Sequence, residues 1–225
     1  MVERLLLSQV VGRPLVGPGG DRIGQVGDLA VRLENGGAPI VTGVVRQAAT
    51  RETFVPRDDL ARIGAGEVHL GVDHVGTRTF ERRPGEVLLA RDVRRRAVID
   101  VSRAELVRVR DVVLEGQGAE WHVAAVVPAP ATTFLGWLRG LGGAREAVEE
   151  VPWANVEPLF GHVPTAARRL PLPRLRRLRP ADIADIVEQA SHEEGEEILE
   201  VVSADSALEA DVFEELDDEH QLEFL

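Results

Sequence analysis

Apolar and polar residues alternate in short runs through the first part of the chain, up to Phe160, and apolar residues fall at three- and four-residue spacings beyond Pro180. In "RIGQVGDLAVRL" (22–33) and "ELVRVRDVVL" (105–114) the period is two, the pattern of strands with one buried face. Turn-forming clusters punctuate these runs: "GPGGD" at 17–21, "NGG" at 35–37 and "EGQG" at 115–118. Roughly 70 residues of short strands without a long helix predict a small closed or nearly closed β-barrel, because closure removes the sheet edges.

The strand pattern occurs twice. "SQVVGRPLVGPGGDRIGQVGDLAVRLENGGAPIVTGVV" (8–45) aligns at a constant offset with "RDVRRRAVIDVSRAELVRVRDVVLEGQGAEWHVAAVV" (91–127). The offset puts Val10 on Val93, Arg13 on Arg96, Val16 on Ile99, Ile23 on Leu106, Val26 on Val109 and Asp28 on Asp111. Both copies close similarly, with "FVPRDDLARI" (54–63) matching "VPWANVEPL" (151–159). The expected organisation is a first β domain over 1–80, a second over 81–162, a Pro/Arg-rich linker over 163–180 and a helical segment over 181–225.

Beyond the linker the signals are those of short helices. Pro180 suits a first helical position, and Asp182 and Asp185 then lie where the helix dipole favours acids. Ile183, Ile186, Val187 and Ala190 form the inner face. Ser191 to Glu194 has the form of a capping box for a second helix with Ile198, Leu199 and Val202 inside. Ser206 to Glu209 repeats that form ahead of Leu208, Val212, Phe213 and Leu216, and Asp217 or Asp218 caps a fourth helix. Short helices that each bury one face on a neighbour describe a superhelix. The fold class expected is therefore multi-domain β plus α: two small β-barrels followed by a short α-helical superhelix.

Charge divides along the same boundary. Residues 1–180 carry 26 Arg against 21 acids, a balance of +5, whereas residues 181–225 carry 17 acids and no arginine, a balance of −17. DNA is thus not an expected partner. The chain has no cysteine, which removes disulfides, thiolate zinc sites and thiol nucleophiles together. No apolar run approaches the ~18–20 residues that span a bilayer. A cytoplasmic protein is expected.

Catalytic motifs do not emerge. "GPGGDRIGQVG" precedes a strand and has no lysine, so it reads as a β-turn and not a phosphate loop. None of the six histidines has a metal-ligand spacing; His69 and His74 lie five apart on a predicted strand, on opposite faces. Phe134, Trp137, Leu138 and Leu141 make a helical apolar stripe that fits packing on a barrel, or a partner or membrane-surface contact. The linker arginines Arg168, Arg169, Arg174, Arg176, Arg177 and Arg179 suit contact with the acidic segment, or alternatively an adaptor for RNA or ribosomal proteins.

Two resemblances add expectations. "GRPLV" with "GDRIGQVGDLAV" (12–31), "VTGVV" (41–45) and "FVPRDDL" (54–60) resemble the PRC-barrel family, which implies an interaction or scaffold module. "LRPADIADIVE" (178–188), "ILEVV" (198–202) and "ADVFEEL" (210–216) resemble the cytosolic N-terminal helical domain of MgtE magnesium transporters and cover about half of it. The combination resembles the PRC-barrel, MgtE N-terminal and CBS domain proteins of actinobacteria. It implies a non-enzymatic scaffold or regulator connected with magnesium sensing or transport. Its partners would be protein: CBS domains in a continuation of the chain, a membrane transporter at the inner face of the membrane, or a second copy in a homodimer. For the metal, the resemblance carries over a single residue, Asp211, as part of a Mg2+ site; one carboxylate supplies a fraction of the roughly six oxygens Mg2+ takes.

Overall fold

The computed structural model describes residues 2–33, 37–48, 51–73, 76, 79–129, 149–159 and 175–224. It is a mixed β and α protein, a large curled β-sheet followed by several C-terminal helices. The Phe134–Leu141 stripe, His74, His162 and most of the arginine linker lie outside the described residues.

The strands are β1 (Glu3–Leu6), β2 (Pro14–Val16), β3 (Arg22–Arg32), β4 (Ile40–Ala48), β5 (Arg51–Pro56), β6 (Leu60–Ile63), β7 (Val68–Leu70), β8 (Glu86–Leu88), β9 (Ala97–Asp100), β10 (Glu105–Gln117), β11 (Glu120–Pro128), β12 (Val151–Pro152) and β13 (Val156–Pro158). Their main order is β13-β9-β10-β11-β4-β3-β2-β7-β6, and the sequence repeat is visible in it. The order is nearly symmetrical about the junction of β11 with β4, where His122 pairs with Ile40 and the Val123 amide donates to the Pro39 carbonyl at 2.9 Å. Bulges in β3 fall between Val26 and Asp28 and between Ala30 and Val31; those in β10 fall at the aligned positions, between Val109 and Asp111 and between Val113 and Leu114. Each Val-Pro closing motif runs into a single 3-10 turn, Arg57–Asp59 in one copy and Trp153–Asn155 in the other. The strand β7, which pairs in parallel with β2, breaks the symmetry.

The segment ahead of each repeat pairs with the other repeat. Strand β1 precedes the first copy and pairs with β10 of the second, Leu6 opposite Val113; β8 precedes the second and pairs with β3 of the first, Leu88 opposite Ala30. A short helical turn follows each, α1 (Leu7–Val10) and a π turn at Leu89–Val93. The second turn is one residue longer, and its wider coil absorbs the extra residue while the strand pairing keeps its register. Each turn is capped by an aspartate of the other copy. Asp111 Oδ1 accepts the Ser8 amide at 3.1 Å and the Val112 amide at 2.9 Å. Asp28 Oδ1 accepts Leu29 at 2.8 Å and Ala90 at 2.7 Å, and Oδ2 accepts Arg91 at 3.1 Å. Asp28 is completely buried. Burial pushes its carboxyl up to about 6, against the pull of the three amides and of the Arg91 guanidinium 4.0 Å away.

Residues of both copies share one core: Leu7, Val10, Leu29, Val44 and Val55 pack in the same cluster as Val109, Leu114, Val126 and Trp121. Trp121 and Trp153 are buried there, large anchors in a chain of which only 4% of residues are aromatic. A second core forms beneath the helices. Strand β9 turns Val98 into the first core and Ala97 and Ile99 into the second, so both of its faces are covered.

Among the described residues, two that are not glycine adopt left-handed backbone, Arg95 (φ 68°) and Ala104 (φ 54°). In the first copy glycines serve the corresponding turns, Gly12 (φ 81°) and Gly20 (φ 86°). The "GPGGD" turn is confirmed, with the Gly20 amide donating to the Gly17 carbonyl at 2.9 Å. Ala104→Gly should relieve its strain and raise stability by up to about 1 kcal/mol, read as a higher urea midpoint, with Gly20→Ala moving in the opposite direction.

Candidate functional site

The acidic segment forms four helices: α2 (Pro180–Gln189), α3 (His192–Val202), α4 (Ser206–Glu215) and α5 (Asp218–Glu223). Pro180 begins α2, and Asp182 reaches back to the Arg179 amide at 3.3 Å and to its guanidinium at 2.6 Å. That guanidinium holds the Asp182 carboxyl below its ordinary range. The Ser191 and Glu194 capping box forms as expected, with the Ser191 amide 3.2 Å from Glu194 Oε2 and the Glu194 amide 3.4 Å from Ser191 Oγ. The third cap differs from the expectation. Asp205 accepts the Ala207 and Leu208 amides, and Ser206 is the first residue inside the helix. Asp and Ser both cap well, so the Ser-x-x-Glu pattern marked the helix but missed its boundary by one residue. Inside, Ile183, Ile186, Val187, Ile198, Val202, Val212 and Leu216 are buried.

Asp211 lies exposed on α4. The metal-type side chains that do meet, among the described residues, are Glu188, Asp217 and His220, with ligand atoms within 4.8 Å of one another. Their contacts are those of a helix start: Asp217 accepts the His220 amide and meets its Nδ1, each at 2.8 Å, while Glu188 accepts the Asp217 amide at 2.9 Å. The hydrogen bonds from His220 hold Asp217 below its ordinary range, and the bond to Asp217 raises His220. Phe224 stacks on His192 at 5.4 Å and lies against Gly195, where a Cβ would come within 2.7 Å of its ring. Glycine at 195 therefore gives α5 its seat on α3.

A feature passed over by motif reading lies where α3 faces the second copy. Arg91, Arg94, Arg95, Arg96 and Arg108 line one side of an open cleft of about 530 Å³, and Ser191, Glu193, Glu194 and Glu197 line the other. Arg108 bridges the walls, its Nη2 2.9 Å from Glu194 Oε1. Burial pushes the Glu194 carboxyl up, but the Ser191 bonds and Arg108 outweigh it and leave it below its ordinary range. Arg91 is committed outside the cleft to Glu52, which raises its own proton affinity. Arg94 donates to the Arg110 carbonyl at 3.4 Å. Among the described residues, no carboxylate lies within ion-pair distance of Arg95 or Arg96. The only sequence signal was the run "RDVRRR" at 91–96.

No protein-family model matches the chain, and no curated protein matches it either. Among the described residues, no helix is long and apolar enough to cross a membrane.

Proposed function

We propose that the chain is a non-enzymatic scaffold or regulatory protein. Its β part is a pair of interlocked PRC-barrel-like units, and its helical part is an acidic docking face whose partner is a protein and whose effector ion is Mg2+. The observation that supports this reading is the separation of charge. Seventeen carboxylates crowd residues 181–225, and α3 is tied to the arginine-bearing second copy through Arg108 and Glu194. Like charges at that density repel, so a divalent cation stabilises the segment and promotes its docking. Asp211, exposed on α4, is the residue assigned to the Mg2+ contact, with the remaining ligands coming from water or a partner.

The reading is tested by thermal denaturation against Mg2+ at constant ionic strength. Mg2+ should raise the midpoint more than a matched monovalent salt, and Asp211→Ala should remove at least half of the difference. Equal effects of the two salts would exclude an Mg2+-specific role for these helices.

A further inference from the structure

The internal repeat supplies a control for the arginine cleft. In the register that lays Val93 on Val10, the counterparts of Arg91, Arg94, Arg95 and Arg108 are Ser8, Val11, Gly12 and Gln25; only Arg96 has a basic counterpart, Arg13. The two corners match in strand register and bulge positions, although the turn of the second is one residue longer. The fold therefore builds this corner without the arginines, and their presence in the second copy needs another reason.

Docking of the acidic helices accounts for Arg108, which meets Glu194. It does not account for Arg95 and Arg96. Arg95 is the more telling of the two, since it occupies a left-handed conformation at the position where the first copy has Gly12. A long side chain kept in a strained backbone conformation at the wall of a cleft is a feature of binding sites.

We infer that the cleft between the second copy and α3 binds a small phosphate-bearing anion through Arg95 and Arg96. The planar guanidinium fork pairs with phosphate oxygens two at a time, and the volume suits a small molecule. Among the described residues the cleft lining contains no aromatic side chain, and what they offer a ligand is guanidinium contact with a phosphoryl group.

The test uses the full chain and pyrophosphate without divalent ions, which keeps it independent of the Mg2+ reading. Calorimetry should show pyrophosphate binding that chloride at equal ionic strength does not reproduce. Arg95→Gly should leave the ligand-free denaturation midpoint unchanged or higher, because glycine suits that backbone, and weaken pyrophosphate binding at least tenfold. Arg96→Gln should weaken it comparably, and Arg13→Gln should bind as the parent does. Binding unchanged in Arg95→Gly and Arg96→Gln, or no heat beyond that of matched chloride, would overturn the site. A single-stranded oligonucleotide that binds more tightly than pyrophosphate, and loses affinity steeply with salt, would overturn it in favour of a nucleic-acid surface.

Discussion

Asp28→Ala is expected to destabilise the protein by about 4 kcal/mol, measured as a shift of the urea midpoint at pH 7. The variant strips the acceptor from the amides of Leu29, Ala90 and Arg91 in a place water does not reach. An unmet buried donor costs about 1–3 kcal/mol, and the loss is shared between the two copies because two of the amides belong to the π turn after β8. Asp111→Ala should cost about 2 kcal/mol, since that carboxylate accepts two amides and lies slightly nearer solvent. Asp28→Asn should lose less than alanine, keeping an acceptor for Leu29 and Ala90 while presenting its amide nitrogen to the Arg91 amide. A loss below about 1 kcal/mol in Asp28→Ala would mean that the π turn does not depend on its cap.

The same carboxyl makes stability depend on pH in an uncommon direction for an acid. Its folded value of about 6 lies above the ordinary 3.8, so the native state holds the proton more tightly than the unfolded chain does. The stabilisation from protonation is fully present below 3.8 and is lost as pH rises through about 6. Taking the protein from pH 8 to pH 5 should therefore add about 1.4 kcal/mol. His220, raised by its bond to Asp217, acts in the same direction, losing its contribution as pH climbs past its folded value. Asp182, Glu194 and Asp217 act oppositely, because their lowered values withdraw stability only as acid protonates them. The profile should accordingly rise from pH 8 toward 5 and fall again in stronger acid. Denaturant titrations of the parent and of Asp28→Asn at pH 5, 6, 7 and 8 decide the matter: parallel profiles would remove Asp28 as the source.

Sequence pattern made much of this architecture legible, for reasons that individual residues illustrate. Ser191 and Glu194 formed the cap their spacing predicted, and Pro180 opened α2 because both features act within one turn of helix. The alignment of Asp28 with Asp111 was equally visible, but its meaning was not. A strand that pairs with the other copy meets the same bonding pattern and the same apolar neighbours as one that pairs with its own, so Leu6 and Leu88 carry no mark of which copy they join. The parallel pairing of β7 with β2 was hidden because the repeat offers no counterpart for it. At the cleft, the arginines of 91–96 were plain in the chain, yet the α3 wall that gives them a context begins only at Ser191. Asp211, chosen by resemblance, stands exposed and is not a member of the cluster of Glu188, Asp217 and His220.

The order of synthesis has a cost in this design. When the chain has left the ribosome only as far as Phe80, β1 has no partner, because β10 has not yet been translated, and β3 still lacks β8 along one margin. Asp28 is likewise without the Ala90 and Arg91 amides it will later receive. The nascent first half must persist with open edges and an unfinished core until the chain beyond Gln117 emerges, a period in which strands on neighbouring polysomes could pair with it. The sheet is therefore completed late, and sequence changes that slow the second copy's emergence should lower the yield of folded protein without altering the stability of the molecules that succeed.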